Sequence, residues 1–145
     1  MLVTAIVTYT QTRRRLLDDL THDYDLALRS NRVEVYPGLW HLTEALPRYG
    51  KQRPVTISDL RELIENLRAW YFERGGLFMS PDSRDAYFAF QQELTAATQD
   101  GEPYETIDQA TRERLRESGS SLRGTLTEDI RSRERTVLGE GRRQA

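Results

Sequence analysis

Any chemistry in this chain would have to come from two histidines and the carboxylates near them. His22 lies among Asp18, Asp19, Asp23 and Asp25, and His41 has Glu44 three residues on. Imidazole with carboxylate is a metal-binding combination, and helical bundles commonly use a Glu-x-x-His pair on each of two helices. Neither the order nor the repetition matches here. A solvent-facing or capping histidine is the simpler reading, and both carboxylate clusters read as solvated helix faces. Ser80 and Ser83 flank a helix start and need no catalytic role. There is no Gly-rich phosphate loop, nucleophile elbow or zincin motif. Cysteine is absent, which removes disulfides, thiol catalysis and cysteine-ligated zinc. No catalytic residue, metal ligand or cofactor is therefore expected.

Charge narrows the partners. Lys+Arg 21 against Asp+Glu 23 gives a formal net charge of −2, and Lys51 is the only lysine. A nucleic-acid binder usually carries a basic excess. The arginines near the C-terminus, Arg131, Arg133, Arg135, Arg142 and Arg143, are interleaved with acids in the helical part, and cations at a helix C-terminus are ordinary. No nucleic-acid partner is expected.

The elements that would position these residues are helical. The central stretch, Val55 to Ala97, reads as a helical hairpin. Thr56 with Asp59 three residues on can cap its first arm, and Val55 with Leu60 fits a hydrophobic staple. Ile57, Leu60, Ile64, Leu67 and Tyr71 follow alternating four- and three-residue spacing, widened by Leu63 and Trp70. Arg74-Gly75-Gly76 should end this arm, with one glycine in a left-handed conformation. Ser80-Pro81-Asp82 should start the second arm, which carries Tyr87, Phe90, Leu94 and Ala97. A short connection makes the arms antiparallel. The aromatic residues near the turn read as core, and Leu77, Phe78 and Met79 at the turn are candidate partner contacts.

The flanking segments read as one helix on each side. From Leu16, residues Leu17, Leu20, Tyr24, Ala27, Leu28 and Asn31 line one face, and the period continues beyond Pro37, where a kink or brief break is expected. The last helix should be capped by Thr106 with Gln109 three residues on. Gly119 marks either a break or a close helix approach. Strand signals are poor. The fold class is all-α: an antiparallel bundle of about four helices, the N-terminal one long and kinked near Pro37. The expected division is 1–15 as a membrane-proximal or truncated anchor segment, 16–138 as the helical domain and 139–145 as a disordered tail.

Met1 to Thr10 is the one uncharged, mostly apolar run, and Arg13, Arg14 and Arg15 follow closely. An apolar run ending in Tyr9 and then in arginines has the form of a cytoplasmic helix exit from a membrane. A span needs about 20 apolar residues, and this run supplies about half. It also lacks the positive n-region of a signal peptide. Two readings stand: a start truncated relative to a longer anchored form, or the first turns of a soluble helix. Leu2, Val3, Ile6 and Val7, with Tyr9 and Arg13 to Arg15, are the membrane-proximal candidates. Leu2 to Ile6 are expected to project from the bundle, because a soluble body buries one stripe of a helix and not its whole circumference.

Val7 to Arg15 (VTYTQTRRR), followed by a long charged helix, resembles a type of uncharacterised small bacterial protein. Such proteins carry one N-terminal span ending in a similar Thr-Tyr and basic pattern, then a helical cytoplasmic domain, then a Leu-Arg-rich helix. Ser121 to Arg133 (SLRGTLTEDIRSR) is similar to that last helix. This chain departs from the pattern in lacking most of the span. The resemblance implies the cytoplasmic side of a membrane, with a single-span anchor if the N-terminus is extended, and it implies no activity. Two functions follow as expectations. One is a non-enzymatic interaction or scaffold domain at that membrane face, with a protein partner or self-association. The other is a soluble helical enzyme or small-ligand binder with a pocket between helices.

Overall fold

In the computed structural model the backbone is described for residues 2–46 and 54–140, and side chains for residues 13, 15–46 and 54–130. Among the described residues the chain forms an all-α bundle: α1 (Leu2–Leu42), α2 (Ile57–Trp70), α3 (Pro81–Thr98) and α4 (Gln109–Glu140). The only extended pairing among them is an isolated bridge between Thr56 and Thr106.

Of the kink or brief break expected at Pro37, the break does not form: the chain remains helical across it. An interior proline removes one hydrogen bond and costs about 3 kcal/mol. Packing on either side offsets this. Tyr36 and Leu39 are buried, and the Trp70 indole donates to the Val35 carbonyl at 3.1 Å. Gly38 allows that approach, since a Cβ there would stand 3.2 Å from the indole nitrogen. A single turn, Thr43–Ala45, ends the segment, and Leu46 beyond it is buried.

α2 opens with the reciprocal cap expected of it. The Thr56 hydroxyl accepts from the Asp59 amide at 3.2 Å, and the Asp59 carboxylate accepts from the Thr56 amide at 2.9 Å. Its next two amides donate to a distant loop, Ile57 to the Glu105 carbonyl and Ser58 to that of Pro103, both at 2.9 Å. These groups have no partner within the helix, so the loop completes the helix start. The buried stripe centres on Leu60, Leu63, Leu67 and Trp70, with Ile64 and Tyr71 half-buried.

The end of α2 corrects one expectation. Neither Gly75 (φ −99°) nor Gly76 (φ −58°) is left-handed. The chain instead widens into a π turn at Tyr71–Gly75, with the Gly76 amide donating to the Tyr71 carbonyl. Glycine is needed there for space. A Cβ on Gly75 would overlap two carbons of the Trp70 ring, and one on Gly76 would lie 2.6 Å from the Tyr71 carbonyl oxygen.

α3 is capped by Ser80, which accepts from the Ser83 amide at 3.1 Å, with Pro81 as its first residue. It runs antiparallel to α2: the Tyr87 hydroxyl donates to the Leu67 carbonyl at 3.0 Å, and Arg61 donates to the Thr98 carbonyl at 3.1 Å. The cap of α4 is Asp108, not Thr106. Asp108 accepts from the Thr111 amide at 2.7 Å. Thr106 is held extended by its bridge to Thr56, and the Ile107 amide donates to the Val55 carbonyl, so no helix can start there. α4 is unbroken at Gly119, which is buried with the Phe90 ring 3.4 Å from where its Cβ would be. The close approach is real and the break is not. Leu39, Leu60, Leu67, Phe90, Leu94, Leu115, Leu122 and Leu126 form the innermost core.

Candidate functional site

α1 has 41 residues and so spans about 60 Å. Among its described side chains, only those of the C-terminal part enter the core, with Tyr36 and Leu39 buried. Residues 15–24 are exposed throughout, including Leu16, Leu17, Leu20 and Tyr24, of which Tyr24 is 68% exposed. The same 3.6-residue period that buries the helix further on here meets no surface. Covering one such side chain is worth about 1.5–3 kcal/mol, so this face is a substantial reserve of association energy. An isolated helix is only marginally stable in water, and a covering surface would stabilise its backbone as well.

Where α1 meets α4, an open apolar groove of about 260 Å³ forms. Tyr36, Pro37, Trp40 and His41 line one wall, and Leu126, Thr127 and Ile130 the other. Trp40 is half-exposed, with the Arg123 guanidinium 6.0 Å from its ring centre. His41 stands at the rim beside Glu44 at 3.9 Å, both well exposed, a pairing worth little in solvent. The described lining includes an imidazole and a phenol but no carboxylate.

Beneath the groove a polar junction ties α1, the turn before α3, α3 and α4 together. The Asp129 carboxylate accepts from the Tyr36 hydroxyl at 2.6 Å, from the Ser83 hydroxyl at 2.8 Å and from the Ser80 amide at 3.3 Å. Arg32 donates to the Phe78 carbonyl at 2.7 Å. Burial, then the hydrogen bond to Asp129, push the Tyr36 phenol well above its ordinary range. Ser83 is wholly buried and has a carboxylate but no imidazole as its recorded side-chain partner. A serine nucleophile needs an adjacent general base and access to substrate. The junction instead looks built to hold the helices: a carboxylate placed at the N-terminus of α3, where the helix dipole favours it.

The turn residues separate. Leu77 is 93% exposed, Phe78 is half-buried and Met79 is taken into the core. Phe72, read from the sequence as part of an aromatic core near the turn, is instead exposed. Phe72 and Phe88 border a shallow groove of about 520 Å³ with Tyr71, Tyr87 and the amides of Gln91 and Gln92. Tyr71 and Tyr87 stack there with ring centres 4.9 Å apart.

At the N-terminal end, Arg13 and Arg15 are exposed on helical backbone. The expectations for Leu2, Val3, Ile6, Val7, Tyr9 and Arg14 concern side chains outside the described residues. Those for the loop 47–53 and for 141–145 also lie outside them. Among the described residues, no helix is long and apolar enough to cross a membrane, and no three His, Asp or Glu side chains converge as metal ligands.

No protein-family model matches the chain, and no curated protein matches it. The sequence pattern had marked the apolar face of α1 but not its lack of cover. It gave no sign of Asp129, whose partners lie 46 and 93 residues away.

Proposed function

We propose that this chain is a non-enzymatic interaction module, in which a helical body holds α1 out as its binding element. The observation that supports this is the exposure of Leu16, Leu17, Leu20 and Tyr24 on a helix anchored firmly at its other end. The groove between α1 and α4 favours an enzyme less, because His41 and Glu44 both stand in solvent at its rim and no carboxylate is among its described lining residues. A second reading is favoured by the apolar Met1–Thr10 run and the arginines after it: α1 lies against the cytoplasmic face of a membrane.

Replacing Leu17, Leu20 and Tyr24 together with Gln tests the reading. The melting midpoint should stay unchanged, because these side chains contribute nothing to the core. Protection of α1 amides by a binding surface should disappear, whether that surface is added protein or vesicles carrying anionic lipid. A clearly lowered midpoint in dilute solution would make the stripe part of the body and remove the reading.

A further inference from the structure

We infer that the surface covering α1 is the α1 helix of a second copy of this chain, packed antiparallel about a two-fold axis between Asp18 and Asp19. The inference rests on the reading of α1 as the binding element and commits it to one occupant.

The spacing of the exposed stripe carries the first part. Arg13, Leu17, Leu20 and Tyr24 are four, three and four residues apart, which reads the same in both directions. Turning one helix over its twin about that axis puts residue 17 opposite residue 20 and residue 13 opposite residue 24. Leu17 then meets Leu20 twice at the centre. At each end Arg13 meets Tyr24, a pairing of guanidinium with aromatic face that is favourable where both are partly desolvated. All four side chains are exposed, so nothing in the body must move first.

Charge decides the direction. Along α1 the positive block Arg13–Arg15 is followed by Asp18, Asp19, Asp23 and Asp25. A parallel pair in register would set Arg13 against Arg13 on the seam. The antiparallel pair sets Arg13 to Arg15 of each helix level with residues 22–24 of its twin, a segment that contains Asp23 and borders Asp25. Asp18 and Asp19, closest to the axis, fall on the far side of each helix at 100° per residue, so they do not confront each other across the seam. Opposed like charges disfavour a partner and fix register.

The chain suits a direct test, because it has no cysteine of its own. Light scattering behind a sizing column should give a mass rising with concentration toward twice 16.9 kDa. L17E/L20E should hold it at the single-chain mass while the melting midpoint of the body stays put. For direction, R13C and Y24C chains are mixed and oxidised mildly. A disulfide needs Cα atoms within about 7 Å. The mixed R13C–Y24C product should dominate, and R13C with itself should not cross-link, since those positions lie eleven residues apart along the seam. A parent chain that stays at single-chain mass up to high concentration would overturn the inference. So would a dominant R13C–R13C product, which reports parallel helices. A monomeric parent that binds anionic vesicles through the same leucines would also overturn it, leaving α1 as a binding element with a membrane as its occupant. A monomeric parent that binds neither would overturn both readings.

Discussion

Two stretches of α1, residues 16–24 and 36–39, carry similar apolar side chains and have opposite fates. Tyr36 and Leu39 are buried to within a few per cent, while Leu17, Leu20 and Tyr24, on the same helix, are more than half exposed. Hydrophobic period tells which face of a helix seeks cover. It does not tell whether cover exists within the same chain, because that depends on where the neighbouring helices end. α2, the turn before α3, and α4 meet α1 around Arg32 to Leu42, through Trp70, Phe78, Asp129 and Arg123. From Arg15 to Tyr24 every side chain is exposed.

The contrast can be broken most forcefully in the body. Leu67 and Phe90 have no accessible surface. Truncating either to Ala should cost about 2–5 kcal/mol, measured by denaturant unfolding. Glu65, exposed on the same helix as Leu67, should tolerate Ala within about 0.5 kcal/mol. Next in size comes Gly75→Ala. Its Cβ would collide with the Trp70 ring, and the loss should be about 1–3 kcal/mol, as for overpacking. A neutral result would mean that the π turn relaxes freely.

How far these features were legible depends on whether their causes are local. The caps at Thr56 and Ser80 were readable, because each bonds an amide three residues away. The start of α4 was misread at Thr106, because that residue is held by a bridge from fifty residues earlier. The glycines after α2 were correctly marked as special but for the wrong reason. Their sequence resembles a left-handed helix end, and the actual constraint comes from the crowded rings of Trp70 and Tyr71. The groove and the Asp129 junction were invisible, since they exist only once α1 and α4 are side by side.

Tyr36 sharpens the comparison from the body side. Its phenol is raised above its ordinary value of 10.0 by burial and by Asp129. A raised folded-state value means stability that is fully present below about pH 10 and lost as pH rises above it. Tyr36→Phe should therefore cost about 1–2 kcal/mol at neutral pH through the lost hydrogen bond, and should flatten the alkaline decline. Some decline should persist, because burial also raises Tyr87. An alkaline limb unaltered in the variant would remove the junction from the stability account.

The smallest expected effect belongs to the free end of α1. Leu17→Gln or Leu20→Gln should change the unfolding free energy of the dilute chain by no more than about 0.5 kcal/mol. That is far below the effect of the same substitution at Leu39. A loss comparable to that at Leu39 would show that the stripe is covered by the body after all.

Amide hydrogen exchange along α1, followed in dilute solution, tests the central claim most directly. Residues anchored in a core exchange through global unfolding, whereas an uncovered helix exchanges through local fraying. The amides of residues 38–42 should exchange more slowly than those of residues 16–24 by a factor on the order of a thousand or more. Uniform protection from residue 16 to residue 42 at the lowest workable concentration would contradict the account.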